Sequence, residues 1–396
     1  MLFNKNIFEK PIRLKEVEMS AIRAIMDKAQ KIRESGQQVI SLSAGEPNFN
    51  TPERIKKETI KAIEDNYTHY GSNRGYPELR RIIVSDYKEK YSAEYDSDTE
   101  IILTTGGAEA LNNVILGTIN PGDEVIILSP AFVSYKNLVK MAGGICVELP
   151  LKEENHFHVD VSEVEASISE KTKMIIINNP NNPTGAVYSY DELKGLSELV
   201  VKHNLLILSD EMYSRLLYEG EFYSIASFSG MKERAIIVNG FSKTYAMTGW
   251  RLGYVLAHKA IIDNILKVHQ YSSTCSPTFI QVGLARAIKE EETQKEVNEM
   301  LDIFRERREL VIKLLADVPG ITYTKPEGAF YCFINVSQTG YSGEQFAEKL
   351  LEEKNVAVVP AISLGKGDAC RDYIRISFAA SSEDIIEGIK RMKDLL

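Results

Sequence analysis

Between Glu100 and about Ser209 the chain alternates short, unbroken apolar runs with longer segments of helical period. The runs are Ile101–Leu103, Val125–Leu128, Met174–Ile177 and Leu205–Leu208, with segments 107–117, 131–141 and 189–203 between them. A strand that is apolar at every position is covered on both faces, and strands joined through helices run parallel. The pattern predicts an α/β fold with a mostly parallel sheet flanked by helices, extended by Ile236–Val238 and Tyr254–Leu256. Ligands of such sheets sit at the C-terminal edge of the strands. The residues that follow each apolar run are therefore the first candidates for chemistry.

Asp210 ends the run Leu205–Ser209, and Tyr213, three residues on, falls on the same side of a helical turn. After Met174–Ile177 comes Asn178-Asn179-Pro180-Asn181-Asn182-Pro183-Thr184-Gly185, where two X-Pro steps and a glycine impose an extended, turned loop that presents Asn182. Thr104-Thr105-Gly106-Gly107-Ala108 leads into a helix beginning near residue 108. Its glycines let backbone N–H groups close on an anion at the helix N-terminus. No lysine follows them as in a P-loop, and the chain has no GxGxxG. Phe132 sits in Pro130-Ala131-Phe132-Val133-Ser134-Tyr135, after another run. Each residue also has a plain reading, with Asp210 a helix cap, Asn182 part of a turn, and Tyr213 and Phe132 core aromatics.

The stretch 236–256 narrows the choice. A β-branched run ends in Gly240-Phe241-Ser242-Lys243, and a fixed cation, Arg251, follows eight residues later with Gly253 behind it. An amine that can be desolvated, a hydroxyl and a guanidinium suit a covalently held, phosphorylated aldehyde, because burial and nearby positive charge ready a lysine for Schiff-base formation. Arg375 lies inside the apolar strand Tyr373–Phe378. A buried guanidinium needs a partner, and its planar fork matches a carboxylate, either of a substrate or of a structural ion pair.

With 396 residues, the chain exceeds what one core usually holds. After about residue 260 the pattern changes to a long helix, 289–316, short strands at 330–334, 356–359 and 374–378, and a final helix near 382–395. We read this as a large domain, 46–285, and a smaller α+β domain of 286–396 to which residues 1–45 return. That first segment has an amphipathic helix over 14–35 and a short strand, Val39–Leu42; beyond it, Thr51-Pro52-Glu53 is a helix start with Thr51 as cap.

Gly240-Phe241-Ser242-Lys243, Ala246-Met247, Gly249 and Arg251-Leu252-Gly253 together resemble the lysine-attachment signature of class I/II aminotransferases, the pyridoxal-phosphate enzymes of fold type I. Ser41–Pro47, the Asn-Pro-Thr-Gly loop, Ser209-Asp210-Glu211 and Tyr373–Ser377 follow the same family's order, nearest its aspartate/aromatic subgroup. The resemblance implies pyridoxal 5′-phosphate bound through Lys243, which also moves the Cα proton. It implies that Asp210 meets the ring nitrogen, Tyr213 and Asn182 the ring oxygen, and Phe132 the ring face. Gly106, Gly107, Ala108, Ser242 and Arg251 would hold the phosphate, and Arg375 with the Gly45 backbone the substrate carboxylate. It further implies a homodimer in which Tyr70 reaches the neighbouring site.

The implied reaction moves the amino group of aspartate, an aromatic or another neutral amino acid to a 2-oxo acid such as 2-oxoglutarate. Some relatives carry a lysine where this chain has Ala108, which weakens a strict aspartate assignment. A carbon–sulfur β-lyase of the same fold is the alternative. A net charge of -9 argues against nucleic acid as a partner. The four separated cysteines suit a reduced compartment, and neither a signal peptide nor an 18-residue apolar span is found. These features make a cytoplasmic protein without membrane partners the expectation, and no metal is expected.

Overall fold

The computed structural model describes residues 9–17, 21–365 and 367–396. Seven strands form one sheet in the order Ile101–Thr104, Gly253–Ala257, Ala235–Gly240, Leu206–Asp210, Thr172–Asn178, Glu124–Ser129, Ile145–Pro150. Neighbours from Ala235–Gly240 to Ile145–Pro150 are parallel, whereas Gly253–Ala257 runs antiparallel to both strands beside it. Six strands thus end at one edge, and Gly253–Ala257 starts there.

The apolar runs divide their side chains between two cores, since successive residues of a strand face opposite ways. Ile102, Val125, Ile127, Met174, Ile176, Leu208, Ile236 and Val255 pack against Leu111, Val114, Val139 and Ile265 of the helices Gly106–Thr118, Ser134–Met141 and Lys259–Ser272. Ile101, Leu103, Ile126, Ile175, Ile177, Ile207 and Leu256 meet Leu79 and Ile83 of Pro77–Tyr91 and Leu193, Leu196 and Val200 of Tyr190–Lys202 on the other side. A four-stranded antiparallel sheet, in the order Val359–Pro360, Tyr373–Ser377, Tyr331–Asn335, Thr322–Tyr323, packs with the helices Glu291–Leu315, Gly343–Lys354 and Ser382–Lys393. Ile40–Ser41 pairs in parallel with Val356–Ala357, which brings the early chain against this C-terminal part.

Several expectations differ in detail. The edge strand Ile145–Pro150 escapes the apolar-run criterion because its side chains are only partly buried. The helix expected from residue 131 starts at Ser134 instead, since Ala131 N donates to Leu364 O at 2.8 Å and the chain turns there first. Thr51 is not a cap; its hydroxyl donates to Ala246 O at 2.8 Å, and Pro52 precedes the helix Glu53–Glu64. No helix follows Asp210. Residues 212–215 form a turn, so Tyr213 shares the sheet edge with Asp210 rather than a helical face. The helix expected over 14–35 appears as a 3-10 turn, Ile12–Leu14, and the helix Ala21–Glu34, while 18–20 lie outside the described residues. Among the described residues no helix is long and apolar enough to cross a membrane.

Candidate active site

A cavity of about 860 Å³, counting its open mouth, lies at the edge where the six strands end. Its lining includes Gly45, Gly107, Ala108, Phe132, Asn182, Asp210, Tyr213, Ser242, Lys243, Arg251 and Arg375. Gly107, Ala108, Phe132, Asn182, Asp210, Tyr213, Ser242 and Lys243 converge because each follows a strand that ends there, and Arg251 precedes the one that begins there. Gly45 instead comes from the segment after Ile40–Ser41, and Arg375 from within Tyr373–Ser377 of the antiparallel sheet. Gly106 and Tyr70 are not in the lining. Gly106 sits behind it, against Arg251, and Tyr70 is 88% exposed on the surface.

Lys243 donates from Nζ to Gly45 O at 2.6 Å. Burial, with Arg251 and Arg375 adding to it against the pull of Glu46, brings its amine down to about 8. Asp210 is 5% exposed and accepts from Tyr135 Oη at 2.7 Å and Met212 N at 3.2 Å. Burial pushes its carboxyl up to about 6, against those hydrogen bonds and Lys243. A carboxylate so placed gains by meeting a cationic group inside the cavity.

The first turn of Gly106–Thr118 has no side-chain cap, which leaves its backbone donors for an anion. Gly106 has φ +80°, and a Cβ there would overlap the Arg251 guanidinium, while one at Gly253 would come within 2.9 Å of Gly107 N. Only glycine lets the turn, the guanidinium and the start of strand Gly253–Ala257 close together. At the other end Arg375, 2% exposed, donates to Asn182 Oδ1 at 3.0 Å and Ser43 O at 2.9 Å, and its Nε has no partner. No carboxylate pairs with it, so the structural ion pair left open by the sequence is absent among the described residues. An unmatched, buried cation with a free donor has the chemistry to receive a carboxylate.

Tyr135, Asn178, Met212, Leu111 and Tyr331 also line the cavity and were missed from sequence. Tyr135 was within reach, as a hydroxyl in the same post-strand segment as Phe132. Tyr331 was not, because it enters from the antiparallel sheet far along the chain.

The sequence profile described as Aminotransferase class I and II matches residues 37–391. The chain belongs to that family. It is 43% identical to an aspartate aminotransferase of Pyrococcus abyssi over 97% of each chain. It is 41% identical to aromatic-amino-acid aminotransferase 2 of Thermococcus litoralis, again over 97% of each. The solved aspartate aminotransferase of Thermus thermophilus with maleate superposes with a TM-score of 0.93 at 35% identity, covering 98% of this chain and 100% of that one. This aminotransferase is therefore a pyridoxal-phosphate-dependent transaminase of fold type I, and the relatives do not favour the β-lyase alternative. Its cavity fits that cofactor. The glycine cradle beside Arg251 suits a phosphate, the desolvated amine an aldehyde, and the buried carboxylate a ring nitrogen.

Proposed function

We propose that this aminotransferase takes an L-amino acid with a neutral, preferably aromatic, side chain as donor and 2-oxoglutarate as acceptor. The observation that carries this reading is the placing of cations in the cavity. Arg375 stands at the carboxylate end, Arg251 at the glycine cradle and Lys243 between them, and position 108 is alanine. Among the described residues that line the cavity no further cation is left for a short distal carboxylate, while Leu111, Phe132 and Met212 offer apolar surface. The longer 2-oxoglutarate can carry its second carboxylate to the mouth beside exposed Ala108. Half-reactions with a panel of amino donors test this. Phenylalanine or tyrosine is expected to react at least about tenfold faster than aspartate, the discrimination that one unmatched charge gives. An aspartate rate above the aromatic ones overturns it.

Bound pyridoxal phosphate supplies an aldehyde and a pyridinium ring that takes up the charge left when the Cα proton departs. In our reading, Arg375 grips the substrate carboxylate in two places and, with the Gly45 backbone, fixes the orientation of Cα. Lys243 would anchor the cofactor and, once displaced by the substrate amine, would take the proton from Cα and return it to the former aldehyde carbon on the far side of the shared nitrogen. Asp210, kept charged by Tyr135, would hold the proton at the ring nitrogen. Phe132 would cover the ring face, and Asn182 and Tyr213 would meet the ring oxygen. Ser242, Arg251 and the Gly106–Ala108 backbone would hold the phosphate. Tyr70, exposed in its own chain, would complete the site of a second copy in a cytoplasmic homodimer. The parts that close on the substrate would be 46–285 and 1–45 with 286–396.

Two outcomes check this assignment. The amine must be unprotonated to attack the aldehyde, so capture of pyridoxal phosphate by the cofactor-free chain is expected to speed up as pH rises through about 8 and level off above it. A rate still climbing through pH ~10.5, the ordinary lysine value, contradicts it. In Gly106→Ala, the added methyl meets Arg251 at a positive φ. Cofactor retention on dialysis is expected to weaken about tenfold, from roughly 1–2 kcal/mol of strain and lost contact. Unchanged retention would remove Gly106 from the phosphate cradle.

A further inference from the structure

Two buried phenols close a polar ring at the substrate end of the cavity. Tyr213 Oη and Tyr331 Oη are 2.9 Å apart. The Arg375 guanidinium lies 4.3 Å from the centre of the Tyr331 ring. It donates to Asn182 Oδ1 at 3.0 Å, and Asn182 Nδ2 faces Tyr213 Oη at 3.5 Å. The orientation of the Asn182 amide follows from chemistry. A guanidinium only donates, so Oδ1 must face Arg375, and Nδ2 is left for Tyr213.

The Tyr213 oxygen is thus approached by a donor from Asn182 and by a hydroxyl from Tyr331. A phenol carries one hydrogen, so a Tyr213 that turns its own toward a group in the cavity, with the Asn182 amide donating to it, can only accept at the 2.9 Å contact, and Tyr331 is then the donor. Burial raises both phenols and keeps both protonated. Room for the second phenol is built in, since a Cβ at Gly45 would stand 2.8 Å from Tyr331 Oη.

We propose that Tyr331 donates to Tyr213 and so directs the Tyr213 phenol proton into the cavity, which makes Tyr331 a positioning residue for the group that faces the cofactor. The inference rests on the reading above that Tyr213 faces the cofactor's ring oxygen. A phenol that donates to that oxygen stabilises its anion and lowers the pH at which the bound cofactor changes absorbance. A phenol that itself receives a hydrogen bond donates more strongly.

The test is a pH titration of the visible absorbance of the holoenzyme in three variants. Tyr213→Phe is expected to raise the midpoint by about 1 pH unit and Tyr331→Phe by about 0.5, as the loss of a direct and of a supporting hydrogen bond. The double variant is expected to match Tyr213→Phe alone, because Tyr331 acts through Tyr213. A Tyr331→Phe midpoint that stays or falls while Tyr213→Phe rises overturns the proposal alone. Additive shifts in the double variant do the same. If Tyr213→Phe leaves the midpoint in place, the underlying reading of Tyr213 fails and the proposal with it. Loss of bound cofactor from Tyr331→Phe also overturns it, since directing a proton does not hold a cofactor. A merely structural role would lower the unfolding temperature without moving the midpoint.

Discussion

Lys243→Ala is expected to lower transamination by about 10⁴-fold or more, the upper range for losing a positioned general base, to which the lost covalent anchor adds. The geometry explains why no neighbour replaces it. Asp210 is committed to Tyr135 and Met212, and the only other basic groups among the described residues of the lining are the guanidiniums of Arg251 and Arg375, which offer donors and no acceptor. The variant is also expected to lose the visible absorbance of the amine-linked cofactor while keeping the fold, because Lys243 makes one side-chain hydrogen bond, to Gly45 O. Steady-state rates with an added small amine give a second check, since a free amine can take up the proton that Lys243 would move. Turnover within tenfold of the parent, without added amine, contradicts the role.

Asp210→Asn carries the next largest effect. The amide occupies nearly the same space and can still accept from Tyr135, but it has no charge to hold a proton on the ring nitrogen. Removing one partner of a buried charge pair costs about 3–4 kcal/mol, so kcat is expected to fall about a hundred- to a thousandfold with little change in KM. Tyr135→Phe, which removes one donor to the same carboxylate, is expected to cost roughly tenfold, the worth of a hydrogen bond to a charged group. The ordering matters as much as the sizes. A Tyr135→Phe loss exceeding that of Asp210→Asn would mean that Tyr135 acts on the chemistry directly.

Much of this site is legible in the sequence because a parallel sheet turns chain order into spatial order. Once Met174–Ile177, Leu205–Leu208 and Ile236–Val238 are read as buried neighbours, Asn182, Asp210 and Lys243 must emerge side by side, and they do. Arg375 is legible for another reason, as a charge inside an apolar strand. What is not legible depends on contacts between distant segments. The direction of Gly253–Ala257 is one case, since an apolar run of five residues looks the same either way along. Tyr331 is another. It comes from the Tyr331–Asn335 strand, paired antiparallel with Tyr373–Ser377, and nothing local marks its hydroxyl as facing Tyr213. Thr51 shows the reverse error, a residue with every local mark of a cap whose hydroxyl is claimed by Ala246 O nearly two hundred positions away.

The central claim, that Lys243, Asp210 and Arg375 together run an amino-group transfer, is tested most directly by one turnover without acceptor. Holoenzyme mixed with excess L-phenylalanine alone should convert its cofactor to the pyridoxamine form and release one equivalent of phenylpyruvate per site, with no ammonia. A cofactor that stays in its aldehyde form, with no phenylpyruvate released, would contradict it.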